Sequence, residues 1–297
     1  MIWKAAITSV TTKAMRLAIA SGKGGTGKTT LAVNLASFLA QENETLLVDL
    51  DVEEPNSGIF IQGQPTLDQD VARKVPQWEQ SLCTLCGKCP TWCKFNALLR
   101  LGDTILVLPE LCHSCYACSE LCPTSALPMQ DMPLGAFRGI KAGKLSFLES
   151  RLEIGVEQAS PLIDKTLRYV DEHHKAVDYQ ILDCPPGTSC SMVSATKTAE
   201  FAILVTEPTP FGLHDLTLAV ETLRILKIPF AVVLNRSGDH DHDVEDYCAR
   251  ESIPLWAKIP DQRRIAHLYS QGKLLYEAVP EVLAALRAIK TKLEALS

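Results

Sequence analysis

Residues 15–40 read MRLAIASGKGGTGKTTLAVNLASFLA. The run Met15 to Ser21 is short, apolar and closed by glycine, which predicts a buried strand. From Thr29 to Ala40 the apolar residues recur at helical spacing, which predicts a helix. Between them GKGGTGKT, Gly22 to Thr29, fits G-x-x-x-x-G-K-S/T with the strand before it and the helix after it that the pattern requires. Gly22, Gly24, Gly25 and Gly27 let backbone N–H groups curl around phosphate oxygens. Lys28 offers charge to the β and γ phosphates, and the Thr29 hydroxyl can hold Mg²⁺. Thr26 and Thr30 complete the expected nucleotide-binding set.

Further along the chain, continuous apolar strands are expected at Thr45 to Leu50, Tyr179 to Asp183, Phe201 to Thr206 and Phe230 to Leu234. Helical patterns fall at Pro161 to His174, His214 to Leu226 and Val244 to Ser252. Apolar strands alternating with helices predict a mostly parallel sheet covered on both faces, the α/β architecture of a P-loop NTPase. The segment 59–145 breaks the rhythm. It is rich in Cys and Pro and reads as a small α+β insert. The expected division is an extension at 1–14, disordered or a mis-assigned start, a first ATPase part at 15–58, the insert at 59–145 and a second ATPase part at 146–297.

The net charge of -6 comes without a basic block, which argues against nucleic acid and for small-molecule or protein partners. No run of about 18 uncharged apolar residues is present, and MIWKAAITSVTTKA lacks an apolar centre. Neither a membrane span nor a signal peptide is expected, and the cytoplasm is the expected compartment.

Lys23 makes the loop K-G-G-T-G-K-T-T, which resembles the deviant Walker A of the MinD/ParA/nitrogenase-iron-protein superfamily. The resemblance implies an ATPase that sandwiches two ATP molecules between subunits, as a homodimer or with a related ATPase, Lys23 reaching the partner's nucleotide. VDLDVEEPN places Asp49 and Asp51 where that superfamily's switch I carries a Mg²⁺-side carboxylate and the residue orienting the attacking water. Hydrolysis needs such alignment because its chemistry is mostly positioning and charge neutralisation; Lys23, Lys28 and Asp51 are the implied catalytic residues. Asp183 matches the Walker B aspartate, and the following CPPGTS resembles switch II of Mrp-type cluster carriers, with Gly187 sensing the γ-phosphate. Asn235, Pro260 and Asp261 resemble adenine-contacting positions.

Eight of the eleven cysteines lie within residues 83–122. Cys83, Cys86, Cys89 and Cys93 have the spacing C-x-x-C-x-x-C-x-x-x-C; Cys112, Cys115, Cys118 and Cys122 repeat it, followed by Pro123. Soft thiolates at this spacing suit a cubane cluster better than zinc, which also takes paired C-x-x-C motifs. The run resembles bacterial two-cluster ferredoxins. That resemblance implies one 4Fe-4S cluster on Cys83, Cys86, Cys89 and Cys122, and another on Cys93, Cys112, Cys115 and Cys118. The first run has Lys94 where the second has Pro123, which puts its exit turn in doubt.

Cys190 lies seven residues after Asp183, the offset of the cluster-bridging cysteine in nitrogenase iron protein, so a bridging cluster there is weighed against an ordinary thiol. Cys184 and Cys248 read as packing thiols. His240 and His242 among aspartates read as a solvated loop rather than a metal site, and Val282 to Leu296 as an amphipathic helix that packs on its own domain or a partner rather than on a membrane. The leading expectation is an ATPase whose dimer cycle is coupled to the clusters and gates electron transfer to a redox partner. The alternatives are a carrier or scaffold for cofactor assembly, whose usual C-terminal C-x-x-C is absent, and a MinD-like positioning protein with structural or redox-sensing clusters.

Overall fold

In the computed structural model residues 14–296 are described. The expected extension therefore lies, apart from Ala14, outside the described residues. From the N-terminus the chain forms β1 (Met15–Ala20), α1 (Lys28–Leu39), β2 (Thr45–Asp49) and β3 (Gln64–Pro76). Short elements follow: α2 (Lys88–Trp92), β4 (Leu98–Leu101), β5 (Thr104–Val107) and α3 (Ala117–Glu120). Next come β6 (Met129–Ala142), β7 (Leu145–Leu152), α4 (Ala159–His173), β8 (Tyr179–Asp183), α5 (Cys190–Thr196) and β9 (Phe201–Thr206). The chain closes with α6 (Pro210–Leu226), β10 (Phe230–Ser237), α7 (His242–Arg250), β11 (Leu255–Pro260), α8 (Arg263–Ser270) and α9 (Pro280–Glu294).

The main sheet has nine strands in the order β11-β10-β9-β1-β8-β2-β7-β6-β3. Pairing is parallel from β11 to β7 and antiparallel from β7 through β6 to β3. The central strands are apolar on both faces because both are covered. Ala18 and Ala20 of β1 join Leu46, Val48 and Leu182 in a core beneath α4, α5, α6 and α7. Leu17 and Ile19, pointing the other way, pack with α1 and α9. Val282, Leu286, Ile289 and Leu293 of α9 are fully or almost fully buried there, so its apolar stripe is used within the domain.

The segment expected as an insert is divided. Its first and last portions, β3 and β6, are strands of the main sheet in antiparallel register as far as Pro76↔Met129. Gln77 N–H to Pro128 O at 2.8 Å and Glu79 N–H to Ala126 O at 2.9 Å extend the ribbon. The eight clustered cysteines lie in residues 77–128, at the far end of this ribbon. There β4 and β5 form a separate two-stranded sheet, and Leu98, Ile105, Cys118 and Leu127 make a small core.

Candidate functional site

The loop after β1 turns through left-handed backbone at Gly25 (φ 77°) and Gly27 (φ 98°), conformations that glycine adopts without strain. Space is restricted as well. A Cβ on Gly27 would lie 2.2 Å from Asn235 Nδ2, and one on Gly22 would lie 2.0 Å from the Asp215 carbonyl oxygen. Lys28 opens α1 and is buried. No side chain caps this helix, so its first N–H groups are available to an anion. Asn235 Nδ2 donates to Thr26 O at 2.8 Å, fastening the loop to the end of β10. Pro260 is in register with Ser237, and Asp261 N–H donates to Ser237 O at 3.0 Å. The three expected adenine-side residues thus meet at the adjacent carboxyl ends of β10 and β11.

Asp49 and Asp183 are paired in register across β2 and β8. Asp49 accepts backbone N–H bonds from Asp51 (3.1 Å), Asn56 (3.0 Å) and Ser57 (2.9 Å). The Ser57 hydroxyl donates to Asp183 Oδ2 at 2.9 Å. Burial, then the charge of Asp183, pushes the Asp49 carboxyl well above the usual carboxylate range. Burial also raises Asp183, with Lys28, Thr29 and Ser57 pulling the other way. Asp51 is pushed up to about 6 by burial, against the pull of Lys28. Buried carboxylates held this way favour a cation among them. Thr26 Oγ1 and Asp183 Oδ1 are buried without a hydrogen-bond partner, whereas buried polar atoms ordinarily have one. Phosphate and hydrated Mg²⁺ are chemically suited to satisfy them.

Gly187 is left-handed (φ 89°), and its N–H donates to Ser21 O at 3.0 Å. Lys23, whose resemblance implies a reach across a dimer, here lies 2.5 Å from Glu207 Oε1; Arg236 holds the other oxygen at 2.8 Å. Although burial alone would raise it, these cations hold the Glu207 carboxyl below its usual range. Ser57, Glu207 and Arg236 were not singled out from the sequence. Ser57 carried a weak signal, since it directly follows the Asp-rich stretch VDLDVEEPN; the Glu207 contacts join residues far apart in the chain and had none.

The cysteine-bearing end contains two small cavities. Cys83, Cys86, Cys89 and Cys122 line one, and Cys93, Cys112, Cys115 and Cys118 line the other. The repeat is visible in the backbone. Leu85 and Ser114, Gly87 and Tyr116, and Asn96 and Ser125 are left-handed pairs, each separated by the same offset as the cysteine runs. Leu85 N–H donates to Cys83 Sγ at 3.4 Å and Ser114 N–H to Cys112 Sγ at 3.5 Å. Ala97 N–H to Cys93 Sγ and Ala126 N–H to Cys122 Sγ, both 3.3 Å, form the second such pair. N–H groups aimed at sulfur stabilise thiolate. Burial, in contrast, pushes the Cys89 and Cys118 thiols up to about 11, so keeping them as thiolates calls for a bound electrophile. Among the described residues no three His, Cys, Asp or Glu side chains are grouped to hold one metal ion. The thiols instead stand around each cavity, an arrangement that could hold a cluster with one thiolate at each corner.

A groove separates the second cavity from the nucleotide-binding half. It is lined by Glu53 and Ser189–Ser191 together with His113, Ser114 and Tyr116, of which His113 and Tyr116 also line the second cavity. Cys190 lies exposed on it. Cys184 and Cys248 are buried. Asp241 is tied to Ser237, Gly238 and Lys258, anchoring the loop that carries His240 and leads into α7 at His242.

The family model for the CobQ/CobB/MinD/ParA nucleotide binding domain matches residues 17–275. An uncharacterised protein of Methanocaldococcus jannaschii is 31% identical over 263 residues, covering 87% of this chain and 90% of its own. The iron-sulfur cluster carrier protein of Pyrococcus furiosus is 23% identical over 224 residues, or 74% of this chain and 60% of its own. The solved Pyrococcus furiosus cell division ATPase MinD superimposes with a TM-score of 0.60 at 20% identity, over 95% of this chain and 99% of its own. This likeness establishes the fold.

Proposed function

The chain belongs to the CobQ/CobB/MinD/ParA nucleotide-binding family, and from that premise we propose that it is an ATPase whose dimer cycle is coupled to two 4Fe-4S clusters and gates electron transfer to a protein partner. The observation that supports the reading is the division of eight cysteines over two cavities, the second beside a groove that is also lined by Glu53 and Ser189, one from each switch. Such clusters supply one-electron transfer. Lys28, Thr29 and the α1 N-terminus bind phosphates and Mg²⁺, Asp49 and Asp183 hold the cation's shell, and Asp51 orients water. If a γ-phosphate takes the Gly187 N–H, the bond to Ser21 breaks and switch II moves against the groove. For the dimer, Lys23 must leave Glu207 to reach the other subunit.

The test is the rate at which reduced protein passes electrons to a one-electron dye with MgATP or MgADP. A rate that differs between nucleotides is expected; equal rates would refute gating. A second reading, a cluster carrier, is favoured by CPPGTS and by the similarity to the iron-sulfur cluster carrier protein of Pyrococcus furiosus. It requires iron to pass from this chain to an apo-ferredoxin, and clusters that stay bound would exclude it.

A further inference from the structure

Arg73, on β3, is 4% exposed, and no acidic side chain pairs with it among the ion pairs of the described residues. Its Nη1 donates to Cys112 O at 3.0 Å and its Nη2 to Pro109 O at 3.1 Å. Nε is buried without a partner. A buried guanidinium cannot deprotonate, and leaving its charge uncompensated is costly. Its bond to the Cys112 carbonyl places the cation beside the second cavity, which Cys112 lines. Arg73 already favours the ionised form of Cys112, although burial of that thiol dominates and raises it. Among the described residues no buried cation lines the first cavity; Lys88 lines it but is exposed. Arg100 reaches Leu85 O there at 2.8 Å, but it is exposed and so screened by water.

Arg73 also touches the nucleotide-binding half. Nη1 donates to Gln158 Oε1 at 2.9 Å, and Gln158 Nε2 donates to Glu110 O at 2.7 Å. Gln158 precedes α4. Helix α4 packs on α5 through Leu162, Ile163, Met192 and Ala195 and is bridged to it by Lys197–Asp164 at 2.7 Å. Helix α5 starts three residues after Gly187. A movement of switch II therefore reaches the Arg73 seat through packed side chains with little slack.

We propose that Arg73 is the charge partner of the second cluster and the link through which α4 acts on it, making this cluster the more easily reduced of the two and the one that responds to nucleotide. Reduction adds negative charge, which a buried cation stabilises, so the potential rises. Electrons then run from the outer cluster, on Cys83, Cys86, Cys89 and Cys122, to the inner one beside the groove. The inference rests on the two-cluster reading of the preceding subsection.

The test is an EPR-monitored redox titration of anaerobically reconstituted protein with MgADP and with a non-hydrolysable MgATP analogue. Loss of one signal in Cys115→Ser assigns the inner cluster. Arg73→Gln should lower the inner midpoint and leave the outer one in place, whereas Arg73→Lys should retain most of the separation. Gln158→Ala keeps the charge; it should preserve the separation but lose half or more of the nucleotide-dependent shift, with ATP turnover unchanged. An unchanged separation in Arg73→Gln would overturn the proposal. If that variant fails to assemble clusters, an undiminished nucleotide shift in Gln158→Ala overturns it. Wild-type protein that assembles no clusters ends the two-cluster reading and the inference together; clusters present but unmoved in the variants end the inference alone.

Discussion

Asp51 is set apart from Asp49 and Asp183 by its surroundings. Burial lifts its carboxyl to about 6, and it faces Lys28 without being locked in backbone bonds. As a carboxylate it can orient water; protonated, it loses that acceptor. ATP turnover should therefore fall as pH drops through about 6, with the inflection lower when Mg²⁺ adds its charge. Asp51→Ala should slow hydrolysis and remove this acid limb, and a variant that keeps both rate and pH profile would contradict the role. Glu207 makes a separate prediction. It holds Lys23 within the subunit, so Glu207→Gln should increase the dimer fraction with MgATP in sedimentation velocity; an unchanged fraction would mean the tether does not compete with dimerisation. The loop lysines and the aspartates were legible in the sequence because their spacing is local. Glu207 and Arg236 were not, because their pairing joins residues far apart in the chain, and Ser57 gave only a weak signal.

At the scale of elements, β2 and β8 bring Asp49 and Asp183 into adjacent register. Both carboxyls have raised values, so over the interval from about pH 4, where free aspartate ionises, up to the raised values the folded chain binds more protons than the unfolded chain. Without divalent cation, stability to urea should be fully present below that interval and decline as pH rises through it. Added Mg²⁺ should restore it at the upper end, and a pH slope indifferent to Mg²⁺ would remove the cation from this corner. Helix α9 supplies a structural control. Leu286 is fully buried against the sheet, so Leu286→Ala should cost about 2–5 kcal/mol in denaturant unfolding; a cost below about 1 kcal/mol would mean the helix is loosely docked. The apolar strands were readable from sequence because they are buried on both faces. The ribbon β3–β6 was not, since QPTLDQDVARKVP alternates polar residues on a largely exposed edge. Its register is fixed by its partner strand rather than by an apolar run of its own.

At the scale of the whole molecule, the ribbon holds the cysteine-bearing end beside the switches, and Arg73 and Gln158 span the contact. The cysteine repeat was legible because its spacing is local; the grouping of Cys93 with Cys112, Cys115 and Cys118 is what the ferredoxin resemblance implies, and these four line one cavity. The groove was not legible, since it is made by five segments, around residues 53, 73–74, 113–116, 157–168 and 189–191, that only the fold brings together. The central claim is that nucleotide binding alters the electronic state of the cysteine-bound centres. Its most direct measurement is the pair of midpoint potentials of anaerobically reconstituted protein, carrying about eight iron atoms per chain, in MgADP and in a non-hydrolysable MgATP analogue. The account predicts two signals, one of which shifts between nucleotides; two signals fixed in both, or an iron content that fits no pair of four-iron clusters, would contradict it.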